Sequence, residues 1–156
     1  MVSIMFNSED QSLLKKCVLC WLATADTDGQ PNVSPKEIFT TLGSDRLLIA
    51  NIASPQSAKN VQQNGAVAIS CLDIFTQKGI QLKGTATLVQ VTDERFADLA
   101  EPLLEMTQGL FPFRSIFVVK ITAKRPLLAP RYLLFPDTTE AEQVTSAMRA
   151  YGVQKA

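Results

Sequence analysis

The stretch Asn51-Ile-Ala-Ser-Pro-Gln-Ser-Ala-Lys-Asn60 gathers the groups that bind a phosphate monoester. Ser54 stands where a helix would be capped, and Pro55 follows at the first helical position, where its missing N–H costs nothing. Free N–H groups at such a helix start, the hydroxyls of Ser54 and Ser57 and the ammonium of Lys59 together suit a cluster of anionic oxygens. The same residues also read as an ordinary capped surface helix carrying a solvated lysine.

A second stretch, Pro31-Asn-Val-Ser-Pro-Lys-Glu-Ile-Phe39, breaks the alternation of a half-buried strand. It puts Ser34 and Lys36 on the side of Ile38, and Pro35 has no N–H to give to a ladder. One edge here is expected to be unpaired or bulged, free to offer backbone groups to a heterocycle. The plainer alternative is an exposed edge strand guarded against aggregation by Pro35 and Lys36.

Other chemistries are excluded or weakened. The chain has no histidine, which removes Ser-His and Cys-His nucleophiles, histidine-ligated haem and an imidazole base. Cys17 and Cys20 form a CxxC with no second pair and no histidine beside it, so a four-ligand zinc site lacks partners. The pair opens the apolar run CVLCWLATA, where cysteine behaves as a small hydrophobe, and we expect buried, inert thiols and no metal. The three cysteines, an odd number, fit a reducing compartment and hence the cytoplasm.

Charge points the same way. Lys plus Arg equals Asp plus Glu at 15 each, so no overall field would hold a polyanion, and neither nucleic acid nor membrane is expected as partner. The start, MVSIMFNSEDQSLLKK, carries acids where a secretory leader would be basic and apolar. No run approaches the roughly 20 apolar residues of a membrane helix.

These residues must be positioned by the elements around them. Ser8 and Gln11 have capping-box spacing and begin a helix to Lys16, with Leu13 and Leu14 inward. Strands are expected at 18–25, 30–42, 46–52, 66–73, 79–91 and 115–123. Asp26-Thr27-Asp28-Gly29 and Gly43-Ser44-Asp45 read as turns. Helices are expected from Ser54 to Gly65, from Thr92 to about Met106, and from the Thr139/Glu142 capping box onward. The last carries a packing stripe of Val144, Met148 and Tyr151. Pro126, Pro130 and Pro136 make the segment between into an extended arm. A mainly β, six-stranded antiparallel barrel with flanking helices results, one domain over residues 1–156.

In that order, Trp21-Leu-Ala-Thr-Ala-Asp-Thr-Asp-Gly-Gln-Pro-Asn-Val-Ser-Pro-Lys36, the Leu47–Ile52 strand, Ser57-Ala-Lys-Asn60 and the Leu82–Val89 strand with Gly84 resemble a known family. It is the FMN-binding split barrel related to pyridoxamine 5'-phosphate oxidase, and the resemblance runs from residue 8 to about 123, leaving the segment from Pro126 outside. It implies FMN at the interface of a homodimer. By position, Ser54, Ser57 and Lys59 would hold the phosphate, and Asn51 and Ile52 would flank the ribityl chain. Val33, Ser34, Pro35 and Lys36 would line the isoalloxazine, with Lys36 near its N1–C2=O region, where a cation favours negative charge on the ring. Phe111, Phe113 or Arg114 of the second subunit would cover the ring.

Two departures bear on activity. Asn32 stands where many relatives have histidine, and no C-terminal arginine segment for a vitamin substrate is found, Arg131-Tyr132 being the nearest approach. The resemblance therefore implies a flavin-dependent oxidoreductase acting on an unidentified small molecule, with no protein nucleophile required. The alternatives are a non-catalytic FMN-binding or redox-sensing protein, and a barrel that binds a deazaflavin or has lost flavin.

Overall fold

The structure, a computed structural model, describes residues 4–156. Residues 1–3, the first part of the stretch read against a secretory leader, lie outside the described residues.

The first helix, α1 (Ser8–Lys16), leads into strands β1 (Cys20–Ala25), β2 (Pro31–Lys36), β3 (Phe39–Leu42) and β4 (Arg46–Ala50). Helix α2 (Pro55–Gln63) follows, then β5 (Ala66–Asp73), β6 (Lys78–Gln90), α3 (Phe96–Thr107) and β7 (Ser115–Leu128). Two helices close the chain, α4 (Pro130–Leu134) and α5 (Glu140–Tyr151). All strand pairs are antiparallel, in the order β2-β1-β5-β6-β7-β4-β3. The two ends of the sheet, β2 and β3, are neighbours in sequence, which is the split in the barrel.

The class is as expected, with seven strands in place of six. The segment 30–42 is two strands because Glu37 and Ile38 leave the ladder: β2 pairs with β1, while β3 pairs with β4. The β1–β2 turn is fixed by Asp26, whose Oδ1 accepts from the N–H of Asp28 (3.0 Å) and of Gln30 (2.8 Å), and by Gly29 at φ +82°.

The barrel interior is filled by the inward residues of the strands, Leu22, Leu47, Ile49, Ile69, Leu82, Phe117, Val119 and Ile121 among them, with Leu14 and Val61 of α1 and α2 closing it. A second core lies on the other face of β4, where Leu48 and Ala50 meet Ile116, Ala100, Leu103 and Phe113. Thus RLLIA reads as a continuous apolar run because four of its five residues are buried, on both faces. Phe113 packs beside Phe96, ring centroids 6.1 Å apart, so it is a core residue and not the ring cover considered above.

Local details shift in instructive ways. Helix α1 is capped one residue earlier than Ser8/Gln11: Asn7 Oδ1 accepts from the Asp10 N–H (2.8 Å), and Asp10 Oδ2 accepts from the Asn7 N–H (3.0 Å). A carboxylate at that end also meets the positive helix pole, which Gln11 could not do. Helix α2 ends at Gln63 with Asn64 as its C-cap, and Gly65 instead allows close approach to β6, where a Cβ would lie 2.9 Å from the Ala86 carbonyl oxygen. The capping box of α5 is present as read, with the Glu142 N–H donating to Thr139 Oγ1 (3.2 Å). Its stripe is only partly realised: Val144 and Met148 are half-buried, Tyr151 is exposed, and Gln143 and Ala147 face inward.

The extended arm expected from Pro126 is corrected. Strand β7 continues to Leu128, with Pro126 opposite Ile80 of β6. Its pairing with β4 ends at Lys120, so beyond that point the strand has one free edge, and a proline there removes no ladder bond. Register shifts at Lys83/Gly84, where a Cβ on Gly84 would lie 2.3 Å from the Lys120 carbonyl oxygen. This bulge lets the long β6–β7 ribbon bend around the barrel.

Candidate functional site

Strand β2 lies at one end of the sheet with a single partner, so its other edge is open. Its side chains alternate. Asn32, Ser34 and Lys36 turn to one face, and Val33 and Pro35 to the other, where both are exposed. The first of these faces meets the start of α2.

A chain of polar contacts joins the two elements. Asn32 Nδ2 donates to Ser57 Oγ (3.1 Å), and the Ser34 and Ser57 hydroxyls are 3.1 Å apart. The Lys36 ammonium donates to Ser54 Oγ. The Ser54 N–H donates to Asn51 Oδ1 (3.2 Å), and Asn51 Nδ2 donates to Ser115 Oγ (2.9 Å) at the start of β7. Asn51 is held twice, because its N–H also donates to the Ser115 carbonyl (3.0 Å). Deeper in, Gln56 Nε2 donates to Asn60 Oδ1 (2.8 Å) and Asn60 Nδ2 to Thr24 Oγ1 (3.0 Å), which pins α2 to the barrel.

The electrostatics turn on Lys36. It is 6% exposed, and its ammonium lies 5.9 Å from the centroid of the Phe117 ring. Across the ladder it faces Cys20, a thiol with no exposure. Among the described residues no carboxylate forms a salt bridge with it. Burial pushes its pKa below the usual lysine value, against a smaller opposing effect of Cys20. A buried ammonium answered only by a hydroxyl and an aromatic face is a poorly compensated charge.

The head of α2 has the matching deficit. Ser54 makes no side-chain cap bond to the helix, and no acidic residue occupies its first turn. The helix therefore presents its positive end next to the ammonium, without a protein anion to answer either.

Of the expected site residues, Ser34, Lys36, Asn51, Ser54 and Ser57 come together in this seam. Lys59 is exposed on α2 and joins none of these hydrogen bonds, and Ile52 is 46% exposed on the connection into the helix. Val33 and Pro35 lie across the strand from the seam. Asn32 and Ser115 complete the network but were not among the expected residues. Asn32 had a sequence signal, since it continues the every-second-residue pattern of Ser34 and Lys36; Ser115 had none.

The cysteines are free and buried. Cys71 lies opposite Cys20 in the ladder, and its thiol is pushed up by the bond to Cys20 and by burial, while burial pushes Cys17 up to about 12. These are poor nucleophiles. Among the described residues no group of three or more Cys, Asp or Glu side chains is arranged to hold a metal, and no helix is long and apolar enough to cross a membrane.

Comparison with known proteins agrees with this architecture. Solved structures share the fold: HupZ of Group A Streptococcus (TM-score 0.68, 22% identity, covering 80% of this chain and 96% of that one) is one. A candidate pyridoxamine 5'-phosphate oxidase of Lactobacillus delbrueckii gives 0.67 at 23% identity, covering 80% of this chain and 97% of that one. An FMN-binding protein of Syntrophomonas wolfei gives 0.61 at 20% identity, covering 78% and 90%. No curated protein sequence matches. The family model described as pyridoxamine 5'-phosphate oxidase matches residues 6–145, nearly the whole chain, and the seven-stranded split barrel with its open β2 edge is the corresponding fold. The chain belongs to the pyridoxamine 5'-phosphate oxidase family.

Proposed function

We propose that the chain binds FMN at the β2–α2 seam and acts as a flavin-dependent oxidoreductase on a small molecule. The observation that carries this reading is Lys36: an ammonium buried beside the Ser54 hydroxyl, at a helix start with no acidic residue in its first turn, without a carboxylate partner among the described residues. A phosphate monoester supplies the missing charge. Ser54 and Ser57 would hold its oxygens, as the resemblance implies. Because the Lys36 ammonium reaches Ser54 Oγ while Lys59 is exposed, we assign Lys36 to the phosphate in place of the ring edge, with Lys59 adding positive charge from the exposed side of α2 and Asn51 and Ile52 flanking the ribityl chain. Ser34 and the open edge of β2, with Val33 and Pro35, would line the isoalloxazine.

When bound, the flavin supplies hydride and electron transfer, and the chain binds, orients and sets the field. The absence of histidine and the buried thiols fit that division of labour.

We further propose a homodimer. Trp21 and Val33, 48% and 57% exposed, stand with Pro35, Ala23 and Ala68 on the outer face of β2, β1 and β5, an apolar platform beside the seam. A second copy would bury it, and Phe111, 54% exposed, together with the exposed Arg114, are the remaining candidates to cover a bound ring. Three free thiols fit the cytoplasm as its location.

The test is direct. The purified chain mixed with FMN is expected to show tight stoichiometric binding by fluorescence quenching, and stopped-flow mixing with NADH or NADPH should bleach the bound flavin. Retention of FMN without bleaching by either donor would favour a storage or redox-sensing protein. A chain that stays colourless with FMN would overturn the cofactor itself.

A further inference from the structure

The seam binds charge from a position that water barely reaches, and this has a consequence for protons. Against Lys36 stand the Cys20 thiol across the ladder on β1, the Ser54 hydroxyl at the head of α2 and the Phe117 ring on β7, while the adjacent Glu37 lies outside the ladder and is exposed. No carboxylate among the described residues forms an ion pair with the ammonium. By contrast the half-buried Lys78, whose ammonium lies 2.7 Å from Glu140, has its pKa raised by that hydrogen bond.

We infer that the seam takes up a proton together with its anion, Lys36 being the group that receives it. The proposal rests on the reading of the seam as an anion cradle. Without the anion, burial and the lack of a charged partner lower the Lys36 pKa, so the empty site gives up its proton at a lower pH than a solvated lysine does. With a phosphate dianion in place, the ammonium gains a charged partner inside a low-dielectric pocket, and its protonated form becomes the stable one. The balance is simple: protein with amine, plus dianion, plus a proton from solvent, gives ammonium–phosphate. No bond in the ligand changes.

The sign follows. Over the range where the empty site holds an amine and the filled site an ammonium, each anion bound brings up to one proton, and affinity falls as pH rises. Where the empty site is already protonated, uptake vanishes and affinity is flat. The empty protein behaves in the complementary way. Because folding lowers the Lys36 pKa from 10.5, the unfolded chain holds more protons, and stability rises with pH in the window just below that value.

The experiment is calorimetric titration of the intact wild-type chain with FMN from pH about 7.5 to about 9, above the phosphate's own second pKa of about 6, in two buffers of different ionisation enthalpy. The expected result is proton uptake that grows with pH toward one per FMN, with affinity falling by up to about tenfold per pH unit. Lys36→Arg, which keeps its charge throughout, should bind with no uptake and a flat pH profile. Tight FMN binding with no proton uptake and a flat profile in the wild-type chain overturns the proposal and leaves the flavin reading standing. If FMN does not bind, that reading falls, and inorganic phosphate is titrated in the same way. Uptake with phosphate then upholds the proton coupling for a different anion, and no binding of either overturns it.

Discussion

Two lysines in this molecule are nearly withdrawn from water, and they are answered differently. The Lys124 side chain on β7, 10% exposed, pairs with Asp10 of α1 and also donates to the Met5 carbonyl (2.7 Å). Lys36 on β2, 6% exposed, reaches a serine hydroxyl and an aromatic ring. The first pair clamps α1 over the end of the long β6–β7 ribbon and is complete within the chain. The second leaves a positive charge with no negative one. A buried ion pair tolerates no loss of a partner, whereas a buried lone cation is a standing invitation to an anion. Burial alone therefore does not mark a functional lysine; the missing counter-charge does.

The comparison is broken most severely by Asp10→Ala. It leaves the half-buried Lys124 ammonium with only the Met5 carbonyl and removes the acceptor of the Asn7 N–H, and we expect a stability loss of about 2–3 kcal/mol by denaturant unfolding. Lys36→Met should show the opposite profile. Removing an uncompensated charge leaves stability unchanged or raised, while FMN binding weakens by about 1.5–3 kcal/mol, the worth of a hydrogen bond to a charged group. Stability loss on the scale of Asp10→Ala would mean that Lys36 has a hidden structural partner, and the comparison would collapse.

Smaller substitutions sharpen it. Asn7→Ala removes the helix cap but spares the ion pair, so it should cost about 1 kcal/mol, well below Asp10→Ala. Lys59→Ala tests whether an exposed cation on the same helix matters as much as a buried one. We expect its effect on FMN affinity, read by fluorescence titration, to stay within about 1 kcal/mol and to shrink in high salt, whereas the Lys36→Met effect persists. An equal loss for the two variants would place the phosphate on the open side of α2.

Much of the fold was legible in the residue order. The strands expected over 46–52 and 79–91, the Asp26–Gly29 turn and the Thr139/Glu142 box each follow from local physics and stand in the structure. What was not legible depended on neighbours far along the chain. Pro126 read as a strand breaker because nothing local tells that β7 has lost its partner on that edge by then. Phe113 read as a possible ring cover because its burial against Phe96 and Leu103 depends on α3 folding over β4. Gly65 read as a helix cap because its close approach to Ala86 is a contact between elements.

The candidate site divides along the same line. Sequence by itself determined the chemistry on offer: hydroxyls and a lysine around a proline-led helix start, a polar stripe on a strand that cannot pair fully, and no histidine for any other catalysis. Those are properties of residue type and of spacings two to four apart, which the backbone periods of strand and helix convert directly into faces. Which lysine is buried was decided only by the tertiary structure. Lys36 and Lys59 are equally charged on paper, but closure of the barrel brings β2 against α2 and Phe117, and water is removed from one ammonium and left on the other.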